Sequence, residues 1–514
     1  IDDDKKSIVK EYQGNKDYLL NERIYLLRIG DDVKSHYVYI KHIQRLLNKN
    51  THVSGVNKEM CPFCEKLICC DDFETNHIKD CHRKATEEGA LIVLPEKGSV
   101  MKFKNHKNML ERPYMFICDL ESTLLKNEVV KLNKKGETAN TQIIHTHRPN
   151  SCCYYFMCTY DSTQNELKTF EGVDCVKNMI VDMYNKSLEC LGEMKINTTM
   201  KLSKEDQYDF ENSSCCSICK NPFEEGDIRC RDHDHRTGNY RGASHQKCNI
   251  NYFCNKYIPV VFHNLRGYDG HFIIKQAHEI LSEINNPIID AIPNSYEKFM
   301  SFNIGCLRFI DSFQFMASSL DKLVKNLYEK EGISEKCNPE GVDKNKYKNF
   351  NNMKKFYNNH MELLCKKGFY PYEWVDSDDK LNYEGLPERD KFYSTLTKES
   401  ISEDDYNHAL NVYDKLECKT FKDYHMTYLK CDVLLLADVF ENFKMTCMEY
   451  YKLDPANYLS CPSLAWDSAL KMSGIELEQI SDIKILDIIE RQKRGGLCFV
   501  GSKRHVEANN RYVE

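Results

Sequence analysis

Long apolar runs are missing from this 514-residue sequence. None reaches the roughly 18 residues that a membrane-crossing helix needs, so no such helix and no membrane partner are predicted. The start, Ile-Asp-Asp-Asp-Lys-Lys, has neither an initiator Met nor the apolar core of a secretory signal. A truncated amino-terminal end and an intracellular protein, nuclear or cytoplasmic, are therefore expected. Excess positive charge is missing too: 71 Lys and Arg stand against 78 Asp and Glu, a formal net of −7. That argues against a protein that coats nucleic acid through uniform basic charge. It leaves room for a nuclease, whose acids add negative charge that a bound ion reverses. Internal repeats and low-complexity tracts are absent. With 41% hydrophobic and 29% charged residues the composition is ordinary for globular domains, and the length suits two to four of them.

Cysteine is plentiful: 25 residues without a secretion signal. In a reducing compartment such thiols are metal ligands or small buried apolar groups rather than disulfides. Two groups have ligand spacing. Cys61-x2-Cys64 followed by His77 and Cys81 suits a small structural zinc finger, with His82 as an alternative fourth ligand and Cys69-Cys70 nearby. The second group is Cys216-x2-Cys219, then Arg231-Asp-His-Asp-His235, then His245-x2-Cys248-Asn249. Two ligand pairs that bracket an Asp-His pair describe a ββα-metal (HNH-type) unit. Zinc on Cys216, Cys219, His245 and Cys248 would fix its scaffold. His233 would act as general base, with Asp232 and Asn249 holding a catalytic divalent ion. The Asp-His residues of a purely structural knuckle would look the same.

The acids carry the strongest chemical signal. Asp119 and Glu121 lie in Phe116-Ile-Cys-Asp-Leu-Glu-Ser122, Asp269 ends Asn264-Leu-Arg-Gly-Tyr-Asp269, and Tyr428 and Asp432 bound Tyr428-Leu-Lys-Cys-Asp432. Met115 to Glu121 is short and apolar and reads as a buried strand. Residues i and i+2 share a strand face, which aims Asp119 and Glu121 the same way. Ile258 to Phe262 reads as a second strand, running into the turn that carries Asp269. Tyr424, Tyr428, Asp432, Leu435, Val439 and Phe443 recur at helical spacing, so Tyr428 and Asp432 share one helix face. Carboxylates so grouped would hold two divalent ions for phosphodiester hydrolysis, while the phenol orients the attacking water.

Between these points, Tyr37 to Leu47 reads as a strand and a short helix, residues 126 to 150 as a Lys-rich loop, and Cys152 to Tyr160 as a strand. Residues 161 to 212 read as largely helical. Leu307 to Ser312 reads as a strand, and Ser318 to Leu323 as a helix start. Residues 327 to 360 read as a mobile loop or helical insert. Lys367 to Glu373 is a turn-rich aromatic segment whose simplest role is packing. Residues 400 to 417 and 421 to 446 read as helices.

The ordered DxE, NxxxYD and YxxxD elements resemble the proofreading 3′–5′ exonuclease domain of family B DNA polymerases. More narrowly they are similar to the protein-primed branch, found in Polinton/Maverick transposons, linear plasmids and related viruses. Ser319-Leu-Asp-Lys-Leu323 fits that branch's (S/T)Lxxh element. Leu307 to Ser312, Lys367 to Tyr372, Asp432 to Asp438, Arg494-Gly-Gly496 and Ala508-Asn-Asn510 are similar to its typical segments. The insert at 216–249 resembles the recombination endonuclease VII family, with His245 at a place that family fills with cysteine.

The resemblance implies an RNase H-like α/β domain, a mixed sheet flanked by helices, with small zinc modules. Its parts would be an N-terminal region at 1–55, a zinc finger at 56–90, and the exonuclease domain at 100–455. A zinc insert at 213–253 would interrupt that domain, and 456–514 would be a connector toward a polymerase palm. Asp119, Glu121, Asp269 and Asp432 would bind two Mg²⁺ or Mn²⁺ ions. Ser122, Asn264, Ser319 and Leu320 would contact the single-stranded primer end. Arg494, Gly495 and Gly496 would help shift primer between editing and synthesis, although Gln492-Lys-Arg-Gly-Gly496 lacks the Tyr of the branch's Tyr-x-Gly-Gly pattern. DNA, with primer end and template, is the implied partner, together with a terminal protein primer and the downstream palm. No palm sequence elements occur, so the chain alone is not expected to synthesise DNA. Two other readings compete: a structure-selective endonuclease working through Asp232 and His233, and a non-catalytic zinc DNA-binding module.

Overall fold

The computed structural model describes residues 26–30, 35–41, 58–60, 67–69, 77, 94–127, 143–253, 256–284, 287–295, 298–329, 347–395, 397–482, 485–486 and 488–489. Cys61, Cys64, Cys81 and His82 of the first predicted zinc cluster lie outside these, as do Arg494, Gly495 and Gly496. The chain divides into two compact units, one made of Ile1–Val100 with Glu478–Glu514 and the other of Met101–Leu477. In the first, Leu26–Gly30 pairs antiparallel with Ser35–Tyr39, and Lys58–Met60 with Leu67–Cys69.

The second unit is built on a seven-stranded mixed sheet. Its strands are β1 (Tyr114–Lys126), β2 (His145–Cys158), β3 (Glu166–Glu171), and, after the insert predicted at 213–253, a further four. The insert contributes the hairpin β4 (Arg229–His233) and β5 (Tyr240–His245), which stands apart from the main sheet. The sheet then takes up β6 (Ile258–Phe262), β7 (Ile289–Pro293), β8 (Phe299–Ile304) and β9 (Leu307–Asp311). The order across the sheet is β7-β8-β9-β6-β1-β2-β3. Strand β6 runs parallel to both β1 and β9, and the other neighbours are antiparallel. This mixed sheet flanked by helices is compatible with the RNase H-like expectation.

Alternation along β1 sorts the two faces. Tyr114, Phe116, Cys118 and Leu120 enter one apolar core with Val176, Met179, Ile180 and Met183 of helix α1 (Cys175–Glu193). Met115 and Ile117 enter the other core, with helices α2 (Leu320–Glu329), α3 (Asn351–Tyr357) and the long α4 (Phe421–Tyr451). A central strand covered on both faces is apolar on both, and β1 is so from Tyr114 to Cys118. By the same period of two, Asp119 and Glu121 continue the row of Met115 and Ile117 and face α4.

Helix α4 begins at a capping box formed by Thr420 and Asp423 and ends at Lys452 in left-handed conformation. It extends the predicted helix by about one turn. The helix predicted over 400–417 is Glu403–Lys415, capped by the Ser402 side chain. Residues 456–477, predicted as the start of a connector, include helix α5 (Cys461–Ser473), and Tyr458 and Leu464 share a small core with Ile310 and Phe315. Two expectations need correction. Residues 161–212 are largely helical, in Cys175–Glu193 and Lys204–Asn212, but not throughout, because Glu166–Glu171 forms the edge strand β3 against β2. The loop predicted to 150 ends earlier, because β2 begins at His145 and pairs with the polar end of β1. Polar composition misleads there because those strand residues lie beyond the core. Among the described residues, no helix is long and apolar enough to cross a membrane.

Candidate active site and zinc site

Asp119 and Glu121 from β1 and Asp432 from α4 converge, with one oxygen of each within 4.8 Å of the others. Glu121, Asp269 and Asp432 are buried, and Asp119 is partly so. A register shift between Glu121 and Ser122 marks a bulge at the end of the pair. Asp269 opens the short helix Asp269–Lys275. Its turn leaves β6 through Asn264, which has φ of 69°, and closes with Gly267 N–H donating to Asn264 O at 2.9 Å. A Cβ on Gly267 would lie 2.4 Å from Asn264 Oδ1, so any side chain there would have to displace the Asn264 amide. The buried Asp311 at the end of β9 holds this turn by accepting from Asn264 N–H at 2.9 Å and Arg266 N–H at 3.2 Å.

Crowded buried acids resist ionisation. Burial first, and then the Asp432 carboxylate, push the Asp119 carboxyl up to about 7. Burial and the neighbouring carboxylates push Glu121 and Asp269 well above the ordinary range. Such a set is the donor chemistry of a hard divalent cation. Asp432 Oδ1 is buried without a hydrogen-bond partner, which an ion at this place would supply. The residues present therefore fit the predicted Mg²⁺ or Mn²⁺ centre.

One cation already reaches the acids. Lys367 Nζ lies 2.5 Å from Asp432 Oδ2. Burial pulls the Lys367 ammonium down, but the Asp432 carboxylate foremost outweighs this and holds it above the ordinary lysine value. Tyr428 is buried one turn before Asp432, and its hydroxyl lies 2.8 Å from that of Tyr372. Gly368 lets the chain pass the Tyr428 ring: a Cβ there would lie 2.9 Å from Cδ2. Sequence reasoning singled out none of Lys367, Gly368, Tyr372 or Asp311 as site groups. The available signal is the segment Lys367 to Tyr372, a turn-rich aromatic stretch whose simplest role is packing but which is also similar to a typical segment of the protein-primed branch.

The four residues predicted to meet a primer end divide. Asn264 and Ser319 are exposed, whereas Ser122 is buried and Leu320 belongs to the core beside α4. Direct contact with a strand would thus fall first to Asn264 and Ser319. His263 ties their segments together, with Nδ1 2.9 Å from Ser312 Oγ and Nε2 2.8 Å from the Ser318 carbonyl oxygen.

In the insert, Cys216, Cys219, His245 and Cys248 bring their ligand atoms within 4.8 Å of one another. The Cys216–Cys219 turn passes through Lys220 with φ of 64°, whose N–H donates to Cys216 O at 2.9 Å. Burial pushes the Cys216 thiol up, but backbone N–H groups of Cys219, His245 and Ile218 outweigh it and bring the thiol down to about 7. That favours at Cys216 the thiolate that zinc requires, whereas burial pushes the Cys219 and Cys248 thiols up. His245 Nε2 lies 3.2 Å from Asp227 Oδ2, which leaves Nδ1 turned toward Cys219 and Cys248 at 3.5 and 3.8 Å. A carboxylate behind a histidine in this way fixes the tautomer for metal binding. The donor set fits structural zinc.

The second predicted nuclease site looks different. Asp232 is buried, and both of its oxygens accept from Arg241, Oδ2 from Nε at 2.9 Å and Oδ1 from Nη2 at 2.8 Å. His233 Nε2 lies 3.1 Å from Asn197 Oδ1. Asp232 and His233 are adjacent on β4, so they point to opposite faces of the hairpin. Asn249 lies in the short helix Gln246–Asn251. The Arg241 pair would have to open before Asp232 could hold an ion. Among the described residues, the groups of His, Cys, Asp and Glu able to hold a metal are the two above.

A mixed sheet carrying a buried carboxylate cluster between a central strand and a long helix defines an α/β domain with a metal-type acidic site. The chain belongs to the type B DNA polymerases of the organellar and viral kind, whose family profile matches residues 250–512. That span contains Asp269, Tyr428 and Asp432 and excludes Asp119, Glu121 and most of the zinc insert. The chain is also similar to a curated "Probable DNA polymerase" of Neurospora intermedia, 25% identical over 255 residues, which cover 46% of this chain and 22% of that protein. The match thus spans about a fifth of that relative. No solved structure matches the chain.

Proposed function

We propose that the unit Met101–Leu477 is the 3′–5′ exonuclease part of a DNA polymerase of the protein-primed type and edits a DNA primer end. The observation that carries this reading is the convergence of Asp119, Glu121 and Asp432, with Asp269 close enough for the Asp119 carboxylate to add to burial in raising it and Tyr428 one turn away on α4. Asp119, Glu121, Asp269 and Asp432 hold the divalent ions. Bound there, such ions stabilise the attacking and leaving oxygens of phosphodiester hydrolysis. Tyr428, steadied by Tyr372, orients the attacking water. Lys367 balances charge on the Asp432 carboxylate and offers its ammonium to a scissile phosphate. Asn264 and Ser319 receive the frayed single strand. Structural zinc on Cys216, Cys219, His245 and Cys248 holds the insert. Nucleotidyl transfer, template and a terminal protein primer belong to the longer enzyme with its palm.

Substrate topology tests the reading. An exonuclease shortens a single strand with a free 3′ hydroxyl and leaves a closed single-stranded circle intact. Cleavage of the circle would instead favour an endonuclease in the insert, and the Asp232–Arg241 pair speaks against that.

A further inference from the structure

The segment Lys367 to Tyr372 carries two side chains of the carboxylate site, and helix α4 grips it at four points. Asp432 meets Lys367, and Tyr428 meets Tyr372. Tyr424 donates its hydroxyl to Phe369 O at 2.6 Å. The fourth point is His425, whose Nδ1 lies 2.7 Å from the Tyr370 hydroxyl. His425 is only 1% exposed. Its Nε2 lies 2.6 Å from Ser151 Oγ, on the residue that pairs with Glu121 across β1 and β2.

Proton bookkeeping fixes the direction of every bond here. Thr123 Oγ1 donates to Asp378 Oδ1 at 2.9 Å, because a carboxylate oxygen only accepts. With its one proton spent, Thr123 accepts from Asn150 Nδ2 at 3.0 Å. That orients the Asn150 amide, so Oδ1 accepts from Ser151 Oγ at 2.9 Å. Ser151 in turn has no proton left for His425, so His425 Nε2–H must donate to it. Burial holds the His425 imidazole down to about 4, so the ring is neutral near pH 7; with its proton on Nε2 it presents a lone pair at Nδ1, and the Tyr370 hydroxyl donates to it. Five hydrogen bonds thus run one way, from Tyr370 to Asp378, whose other oxygen meets Arg148 Nη2 at 2.6 Å. The ring of Tyr370 lies 5.0 Å from those of both Tyr372 and Tyr428.

We propose that His425 is a positioning residue for the carboxylate site: as the neutral Nε2–H tautomer it pins Tyr370 and so sets where Lys367 and Tyr372 stand against Asp432 and Tyr428. His425 touches neither substrate nor ion. Its catalytic consequence rests on the exonuclease reading above, whereas its anchoring of the segment does not. A chain of matched donors specifies one arrangement because reversing any link leaves a buried polar group unpaired.

Tyr370→Phe removes only the donor and keeps the ring. His425→Leu removes both links, and His425→Gln offers an amide N–H and an oxygen in their place. Single-strand digestion should show kcat down about tenfold in Tyr370→Phe with KM little changed, the pattern of a misplaced reacting group. His425→Leu should fall at least as far, Tyr370→Phe should add little on top of it, and His425→Gln should recover part of the rate. Hydrogen exchange at the amides of Tyr372 and Trp374, which donate to Tyr370 O and Pro371 O, should quicken several-fold in Tyr370→Phe while α1 keeps its protection. Unchanged exchange in a folded Tyr370→Phe protein, or faster exchange with wild-type kcat, would overturn the proposal. A wild-type protein that digests nothing would refute the exonuclease reading, and exchange would still decide whether His425 anchors the segment.

Discussion

Lys367 Nζ sits 2.5 Å from Asp432 Oδ2, on the carboxylate whose other oxygen is buried without a partner. A lysine and a divalent ion can therefore share Asp432, one at each oxygen. Replacing Lys367 with Met, which keeps the stem and removes the charge, should lower kcat on the order of 10²-fold, as loss of a preorganised charge at a reacting phosphate does. It should also lower the melting temperature in EDTA, because the acids lose their cation, and saturating Mg²⁺ should narrow that gap. Equal melting shifts with and without Mg²⁺ would contradict the shared-carboxylate account.

Removing an acid should do the reverse to stability. Asp119 is held at about 7 in the folded protein against an ordinary 3.8. Between those values the folded state binds more protons than the unfolded, so the Asp119 contribution is fully present below about pH 4 and is lost as pH rises through 7. Asp119→Asn escapes this loss. Without metal, the variant should therefore melt a few degrees above wild type at pH 7.5 and show little advantage near pH 4. Melting curves in EDTA across this range check the sign, and the same variant should be inactive.

How far this site can be read from sequence follows from its geometry. Asp119 and Glu121 share a face because a strand alternates, and Tyr428 and Asp432 share one because a helix turns. Both periodicities are local and visible. Lys367 and Asp311 act across 65 residues and 45–47 residues of chain respectively, and nothing in their neighbours announces the contact. The β3 edge strand was hidden for another reason: its half-buried residues are as polar as a surface helix. In the insert, ligand spacing gave the zinc set, while the Asp232–Arg241 pair depended on a hairpin register that spacing does not encode.

Gly368 should tolerate no side chain. A methyl there would press on the Tyr428 ring at 2.9 Å and displace the phenol. Gly368→Ala should cut kcat by roughly 10- to 100-fold, with KM less affected, since small displacements at a reacting centre carry such costs. A variant with wild-type kcat would show that the Tyr428 position is not critical.

For the insert, Cys248→Ser should remove one equivalent of bound zinc per chain, measured by metal analysis after dialysis. Asp227→Asn should keep the zinc but weaken it by roughly 10- to 100-fold in a chelator competition, the usual effect of losing the carboxylate behind a ligating histidine. Unchanged affinity would mean that the His245–Asp227 contact does not orient the ligand.

The most direct measurement is digestion of a 5′-labelled single strand with Mg²⁺ or Mn²⁺, comparing wild type with the double variant Asp119→Ala/Glu121→Ala. The account predicts a ladder that shortens one nucleotide at a time from the 3′ end, absent in the double variant and in EDTA. Digestion that survives the loss of both acids, or a wild-type protein with no metal-dependent cleavage, would contradict it.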